Sequence, residues 1–122
     1  MAGKQLGVVH IRVNGGLLDS EPGASIDIGG AVRTPVLGSG RVIGYSESVK
    51  EAVIECVISV GQGTSLAALR DIAGAVATFE CDTGQVYTVT NATLADPPKA
   101  TAGEGGKVPI KLFGDPAIEM GV

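Results

Sequence analysis

Ten residues in the middle of the chain, EAVIECVISV, alternate between apolar and other side chains with a period of two. Successive side chains of a β-strand point to opposite faces, so this period predicts a strand with one buried face. The face expected to be buried carries Ala52, Ile54, Cys56, Ile58 and Val60. The opposite face carries Glu51, Glu55 and Ser59 together with Val53 and Val57.

A glycine-rich turn and one short helix are predicted after this strand. Thr64 or Ser65 can cap a helix over Leu66–Ala73, because a side-chain oxygen there can accept a bond from the first free amides. Its apolar side chains fall on one side of the helix, and Gly74 is placed to end it.

A tight hairpin is predicted next, with strands Val76–Cys81 and Gln85–Thr90. The loop Asp82-Thr83-Gly84 is typical of a three-residue hairpin turn with glycine in the left-handed position. If Cys81 faces Gln85, the paired residues are Phe79 with Tyr87 and Ala77 with Val89, and the opposite face carries Thr78, Glu80 and Thr88.

Composition favours a single β-rich domain over residues 1–122. The chain has nineteen glycines and six prolines, which indicate many turns, and no tryptophan. Its 122 residues and 44% hydrophobic content suit one domain and are too little for two. We therefore expect a mainly β fold, an antiparallel β-sandwich or barrel with one short flanking α-helix.

The formal net charge of −4 argues against tight nucleic-acid binding through phosphate neutralisation. It does not exclude a role in which nucleic acid passes along a negatively charged surface that repels it. We find no apolar run long enough to span a membrane and no signal segment, so the protein is expected to be made in the cytosol. Cys56 and Cys81 are expected to be buried thiols, with a bridge between them left open.

The segment Gly29–Gly44 is unusual because it mixes many glycines with aliphatic side chains and two arginines. One interpretation is a long, mobile β-hairpin. The other is an arm that packs its apolar side chains on another subunit. The residues assigned to this inter-subunit loop are Arg33, Val36, Leu37, Arg41 and Val42.

The C-terminal third is predicted to hold a surface loop and one more strand. The loop is LADPPKATAGEGG, rich in proline and glycine, and the strand is KVPIKLF. Pro109 cannot donate a hydrogen bond to a neighbouring strand, so this strand is expected at a sheet edge or with a bulge.

Enzymatic chemistry finds little support in the sequence. The run VISVGQGTSLAALRDIAGAVATFECD imitates a dinucleotide-binding fingerprint, but Leu66 fills the third glycine position and the helix is too short for a crossover. The single histidine, His10, has no readable catalytic partner, and the cysteines and histidine make no zinc pattern. We expect no catalysis, no metal and no cofactor.

Several blocks of the sequence are similar to the tail tube proteins of Mu-like contractile-tailed bacteriophages. FECDTGQVY followed by Asn91-Ala92 resembles the central hairpin of that family. MAGKQLGVVHIRVNG, GASIDIGGAVRTPVLGSGRVIGYSE and AVIECVISV match in the same order. The resemblance covers Met1 to about Leu94, and KVPIKLFG is compatible with it.

The resemblance implies a structural subunit whose hexameric rings stack into a hollow tube for passage of genome DNA during ejection. It implies a place in the virion tail, with assembly in the cytoplasm of the bacterial host. The implied partners are other copies of the chain, the tail sheath, the tape measure and the baseplate or terminator proteins. Genome DNA would pass without sequence-specific binding, and no membrane is involved.

The resemblance also gives the residues expected roles. An acidic, hydroxyl-bearing lumen is expected from Glu51, Glu55, Thr78, Glu80, Thr88 and Thr90. The helix is expected to pack outside the channel sheet, where Arg70 and Asp71 could meet the sheath. Gly29–Gly44 would be the loop that stacks one ring on the next.

Two other functions remain open on the sequence. The first is a tube protein of a contractile injection or type VI secretion apparatus, in which effectors rather than DNA occupy the lumen. The second is a small β-sandwich that binds a ligand such as a carbohydrate. The lack of tryptophan and the scarcity of tyrosine argue against a sugar site. A nucleotide-binding enzyme is the most remote alternative.

Overall fold

The structure is a computed structural model that describes residues 3, 6–18, 20–62, 65–103 and 105–121. In these residues it has strands β1 to β10 and one helix, α1, as follows. They are β1 Val9–Val13, β2 Gly16–Leu18, β3 Ser25–Asp27, β4 Gly30–Gly38, β5 Arg41–Lys50, β6 Ala52–Ser59, α1 Leu66–Arg70, β7 Ala75–Cys81, β8 Val86–Leu94, β9 Lys107–Gly114 and β10 Ile118–Gly121.

All the described strands except β4 and β5 form a continuous antiparallel ladder that folds into two layers. Its order is β2-β1-β7-β8-β9-β6-β3, with β10 added to the side of β8. We call β2, β1, β7, the first half of β8 and β10 the first sheet. We call the end of β8, β9, β6 and β3 the second sheet. The mainly β, antiparallel fold with one short helix is the predicted fold class, and it is confirmed.

Strand β8 belongs to both sheets because it bends near Asn91. Its first half pairs with β7, and its end pairs with β9 through Thr93 and Leu94. Asn91 has φ 56°, a left-handed conformation that asparagine tolerates better than most residues. Gly114 of β9 crosses close to this bend, where a Cβ would lie 2.6 Å from the Thr90 carbonyl oxygen. A glycine is therefore required at this crossing.

The core lies where the inner faces of the two sheets meet. The first sheet contributes Ile11, Ala77, Phe79 and Val89, all at most 1% exposed, and α1 contributes Leu69. The second sheet contributes Ala52, Ile54, Cys56, Ile58, Val108, Ile110 and Leu112. Within β6, the buried positions are the alternate residues that the sequence period predicts.

The β7–β8 hairpin has the predicted register. Phe79 lies opposite Tyr87 and Ala77 lies opposite Val89. The Cys81 amide donates to the Gln85 carbonyl oxygen at 2.8 Å, which closes the three-residue turn. Local turn chemistry was therefore sufficient to fix this register.

The helix is shorter than predicted, since it ends at Arg70 rather than at Ala73. The Ser65 hydroxyl caps it by accepting from the Ala68 amide at 3.2 Å, while Thr64 lies outside the described residues. The Ile72 carbonyl accepts from the Leu94 amide at 3.1 Å, so this segment bonds to the end of β8. Gly74 adopts its left-handed φ of 63° in the link to β7 instead of at the helix end.

The C-terminal third differs from the prediction at two places. The sequence predicted a single strand in this third, but Ile118–Gly121 also forms a strand, β10, against β8. Strand β9 pairs with β6 through Pro109 without a bulge, but its described pairs with β8 are only those of Leu112 and Phe113. Strand β9 is an inner strand of the ladder, between β8 and β6, so the predicted edge position or bulge is wrong for this strand. Pro109 is tolerated because no described pair joins it to β8.

Candidate functional site

The hairpin β4–β5, which we call the arm, forms a two-stranded sheet of its own. Its strands, Gly30–Gly38 and Arg41–Lys50, pair from Gly30 with Lys50 to Gly38 with Arg41. The arm is longer than the predicted segment Gly29–Gly44. Tyr45–Lys50, which was predicted to lead into β6, is the second half of strand β5. A two-stranded hairpin is at best marginally stable alone in water, so this arm is expected to need a partner surface.

One face of the arm combines an ion pair with large apolar side chains. The Arg33 Nε lies 3.2 Å from Glu47 Oε1, and its guanidinium carbon lies 6.0 Å from the centre of the Tyr45 ring. Val49 lies toward the base of this face and is 78% exposed. Toward the tip, Leu37 pairs with Val42, and both are more than 60% exposed.

The other face of the arm carries smaller side chains. Cross-strand pairs place Val32 beside Ser48, Thr34 beside Ser46 and Val36 beside Gly44. Val32 and Val36 are each 43% exposed. Aliphatic side chains are thus open to solvent on both faces of the arm, and no residue between Gly30 and Lys50 belongs to the core.

The base of the arm is fixed to the sandwich by Asp27. Its carboxylate forms an ion pair with Lys50 and accepts a hydrogen bond from the Gly29 amide at 3.0 Å. A Cβ on Gly29 would lie 2.6 Å from the Lys50 carbonyl oxygen, so the two strands can approach here only at a glycine. The Ala117 amide also donates to the Ile28 carbonyl oxygen at 2.8 Å.

This anchor depends on the charge of both partners. The hydrogen bond from Lys50 lowers the pKa of the Asp27 carboxyl, and the same contact raises the pKa of Lys50. The Asp27 contribution is therefore complete above the unfolded-state pKa of the carboxyl and is lost as the pH falls through its lower folded-state pKa. The Lys50 contribution is complete below the unfolded-state pKa of the amine and is lost as the pH rises through its raised folded-state value.

The outer face of the first sheet carries hydroxyl groups and one ion pair. Thr78 lies opposite Thr88, and Glu80 lies opposite His10. The Glu80 carboxylate lies 3.2 Å from Arg12 Nε. Thr90 continues this face near the bend of β8. Four residues of the predicted lumen set are thus brought together: Thr78, Glu80, Thr88 and Thr90.

The outer face of the second sheet carries alternating charges. Glu55 of β6 lies opposite Lys111 on one side and Ser25 on the other. Lys107 Nζ lies 3.8 Å from Glu21 Oε2, and Asp27 pairs with Lys50 at the arm base. Every carboxylate named here has a basic neighbour, so the face is balanced in charge.

The structure divides the predicted lumen set between two surfaces that point away from each other. Glu55 is on the outer face of the second sheet, and Glu51 is in the link from the arm to β6. Because the core separates the two outer faces, the six residues do not form one continuous surface of the subunit. The sequence showed which side chains point away from the core, but not that β6 and β7 belong to different layers.

The remaining predicted groups are the charges at the end of α1 and the two cysteines. Arg70, the last residue of α1, and Asp71, its C-cap, are exposed, with Arg70 Nε 3.5 Å from Asp71 Oδ1. Cys56 and Cys81 are free thiols, and burial raises the pKa of Cys56 to about 11. Burial, followed by the Asp82 charge, also raises the pKa of Cys81. Both thiols are therefore protonated at neutral pH and poorly nucleophilic.

The described residues offer no obvious small-molecule chemistry. Within them, no three His, Cys, Asp or Glu side chains come together as metal ligands. No helix among them is long and apolar enough to cross a membrane. An open cleft of about 400 Å³ lies between residues 96–99 and the second sheet, and its lining contains no aromatic side chain.

The predicted segment ended at Gly44 and therefore missed the exposed side chains of Tyr45 and Val49. Val32 and Ile43 lay within that segment but were not among the residues assigned to the inter-subunit loop. The sequence prediction also missed the Asp27–Lys50 anchor. The segment YSESVK does alternate with a period of two, which could have indicated a strand. That alternation places Tyr45 and Val49 on the same face as Glu47, so it does not look like a strand with one buried face.

Comparisons with known proteins agree with this architecture. The sequence profile of the family described as phage tail tube protein matches residues 2–119. The chain is 41% identical over 114 residues to the tail tube protein of Escherichia phage Mu, covering 93% of each chain. It is 35% identical over 112 residues to the Mu-like prophage FluMu tail tube protein of Haemophilus influenzae, covering 92% of each.

Two solved structures share the fold at low sequence identity. One is the tube-terminating cap of the anti-feeding prophage, with a TM-score of 0.62 and 13% identity. The other is the sheath–tube complex of an extracellular contractile injection system in its extended state, with a TM-score of 0.61 and 15% identity. Each similarity covers 93% of this chain and 88% of the other.

Proposed function

The chain belongs to the phage tail tube protein family, and from this membership we propose that it forms hexameric rings that stack into a tube carrying genome DNA. Its role is structural, with no catalytic step. The tube is part of the virion tail and assembles in the cytoplasm of the bacterial host. The outer surface contacts a contractile sheath, while the tape measure protein and the baseplate or terminator proteins meet the tube along its length and at its ends.

The observation that carries this proposal is the arm. It projects exposed aliphatic side chains on both faces and contributes nothing to the core of its own subunit. An exposed hairpin of this kind gains stability by burying those side chains against another copy. A contact between unlike surfaces of identical subunits forms a ring when its rotation closes and continues without limit when it does not, so a contact of the second kind along the tube axis can stack rings.

We place the outer face of the second sheet toward the channel. Strand β3 leads into the arm and β6 follows it, so the arm extends from the second sheet. If the arm contacts the next ring along the tube axis, the strands of the second sheet run along the wall of the channel. The face is balanced in charge, with Glu51 beside it as a further carboxylate. DNA gains affinity mainly when cations neutralise its phosphates, so a wall without excess positive charge lets it slide.

The remaining predicted groups then face away from the channel. Thr78, Glu80, Thr88 and Thr90 lie on the opposite outer face, toward neighbouring subunits or the sheath. Arg70 and Asp71, both exposed at the C-terminal end of α1, are available to the sheath. These assignments replace the single lumen set that the sequence suggested.

Electron microscopy of the purified protein over a range of concentrations tests the proposal directly. We expect rings or hollow tubes with an open lumen. Their formation should depend on concentration, because assembly follows mass action. Compact monomers at every concentration, together with a rise in melting temperature on adding a small ligand, would instead support the ligand-binding alternative.

Charge reversal at Glu55 and Glu80 tests which face lines the channel. We expect Glu55→Lys to slow genome release from purified particles by about tenfold or more, because every subunit then presents an extra cation to the phosphates. Glu80→Lys is the matched control, since it also removes a carboxylate beside a basic residue but on the other face. Its release rate should stay within about twofold of the unaltered particles.

The readout is DNA that becomes accessible to an intercalating dye after ejection is triggered. Particle yield and tube length are compared first, so that an assembly defect is not mistaken for slow ejection. Slow release by Glu80→Lys alone would assign the channel to the first sheet. Normal release by both variants would exclude an electrostatic role for either face.

A tube protein of a contractile injection apparatus is the second candidate function. It is favoured by the fold shared with the sheath–tube complex, which is a similarity of fold at 15% identity. The 41% identity to a phage tail tube protein favours the phage role.

A further inference from the structure

The arm and the rest of the chain carry opposite excess charge. From Gly30 to Lys50 there are three basic side chains and one acidic one. The rest of the chain has six basic and twelve acidic side chains. The projecting arm has a net positive charge and the body of the subunit has a net negative charge. Such complementary charges favour contact between the arm of one copy and the body of another.

Only one of the three arm cations lacks an acidic partner within the described part of the chain. Arg33 pairs with Glu47 at 3.2 Å, and Lys50 pairs with Asp27 at the arm base. Arg41 is exposed at the tip, and its guanidinium makes no ion pair or side-chain hydrogen bond to any residue that the structure describes.

The surroundings of Arg41 are apolar. Leu37, Val42 and Ile43 are the exposed side chains around the tip, at 70%, 63% and 57% of their full exposure. If these side chains are buried on docking, the guanidinium is taken out of water with them. A charge moved into such a place is costly unless it meets a carboxylate with good geometry.

We propose that Arg41 pairs with a carboxylate on a second copy of the chain when the arm docks. The apolar side chains of the tip supply the contact area, and the ion pair fixes where the tip binds. This inference rests on the proposed function, because it names the partner chemistry of the stacking contact. DNA could also supply negative charge, but the second copy is the favoured occupant because its body combines the acidic excess with exposed apolar side chains such as Ile118 and Met120, which the tip can contact.

The test compares Arg41→Ala and Arg41→Glu with Lys99→Ala in the full chain. Lys99→Ala is the matched control, because it removes an exposed cation from the loop before β9, outside the arm. We expect Arg41→Glu to raise the concentration at which tubes form by about tenfold or more, and Lys99→Ala to change it by less than about twofold. Tube formation by Arg41→Ala should also respond less to added salt than that of the unaltered chain.

Assembly is measured by sedimentation and electron microscopy, and binding of a labelled DNA duplex is measured in parallel. Tubes of the unaltered chain together with normal assembly of Arg41→Glu would overturn this inference alone. Equal defects in Lys99→Ala and Arg41→Ala would also overturn it, because they would indicate a general effect of removing a cation from the chain. Loss of DNA binding with normal assembly would reassign Arg41 to phosphate. Absence of tubes from the unaltered chain would overturn the proposed function as well.

Discussion

Shortening the arm should abolish tube formation while the sandwich stays folded. The change replaces residues 35–45 with Asn-Gly, so that a two-residue turn joins Thr34 to Ser46, which are paired in the arm. It removes most of the exposed aliphatic side chains that we propose to bury between rings. At concentrations where the unaltered chain forms tubes, electron microscopy and sedimentation should detect only subunits or unstacked rings.

The sandwich should be unaffected because the core contains no residue from the arm. Circular dichroism and thermal unfolding therefore serve as the folding check, with a melting temperature within a few degrees of the unaltered chain. A matched control deletes Ala100 and Thr101 from the exposed loop before β9, which also shortens the surface but leaves the arm intact. Tubes of normal length from the shortened arm would contradict the stacking role.

The elements that sequence predicted well are those set by neighbouring residues. Strand β6 alternates regularly between buried and open positions, so its faces follow from its own eight residues. The β7–β8 register follows from a three-residue turn, and the pairs of Phe79 and Ala77 are then fixed. In both cases the information lies within a short stretch of chain.

The features that sequence did not predict depend on distant contacts. The bend of β8 at Asn91 becomes possible because Gly114, far along the chain, leaves room for it. Strand β10 exists because the first half of β8 has a free side where β9 does not reach. The local sequence of β8 or of β10 does not indicate these contacts with distant parts of the chain.

The candidate surfaces show the same limit. Arg41 and Leu37 were assigned to an inter-subunit loop because a glycine-rich stretch with many aliphatic residues is unusual. The period of two placed Glu55 and Glu80 on non-core faces, and both are indeed outside the core. Whether those faces belong to one surface depends on the path of the chain from β6 to β7, which a residue pattern does not contain.

Replacing Phe79 with alanine should destabilise the subunit more than any other single truncation of a side chain. Phe79 is 1% exposed and is the largest fully buried side chain in the described core. Phe→Ala changes at such sites cost about 3–5 kcal/mol, from lost burial and the cavity that remains. For a domain of this size we expect a fall in melting temperature of roughly 10–25 °C. Chemical denaturation at a concentration below that of assembly measures the free energy of unfolding.

The only other phenylalanine, Phe113, provides the matched control because it is 40% exposed on the outer face of the second sheet. Phe113→Ala removes the same atoms but leaves no enclosed cavity, so its cost should be within about 1 kcal/mol. The difference between the two variants then reports burial rather than residue type. Equal losses in the free energy of unfolding for the two variants would contradict the position of Phe79 between the sheets. They would also undermine the separation of the two outer faces, because that separation depends on a core that includes Phe79.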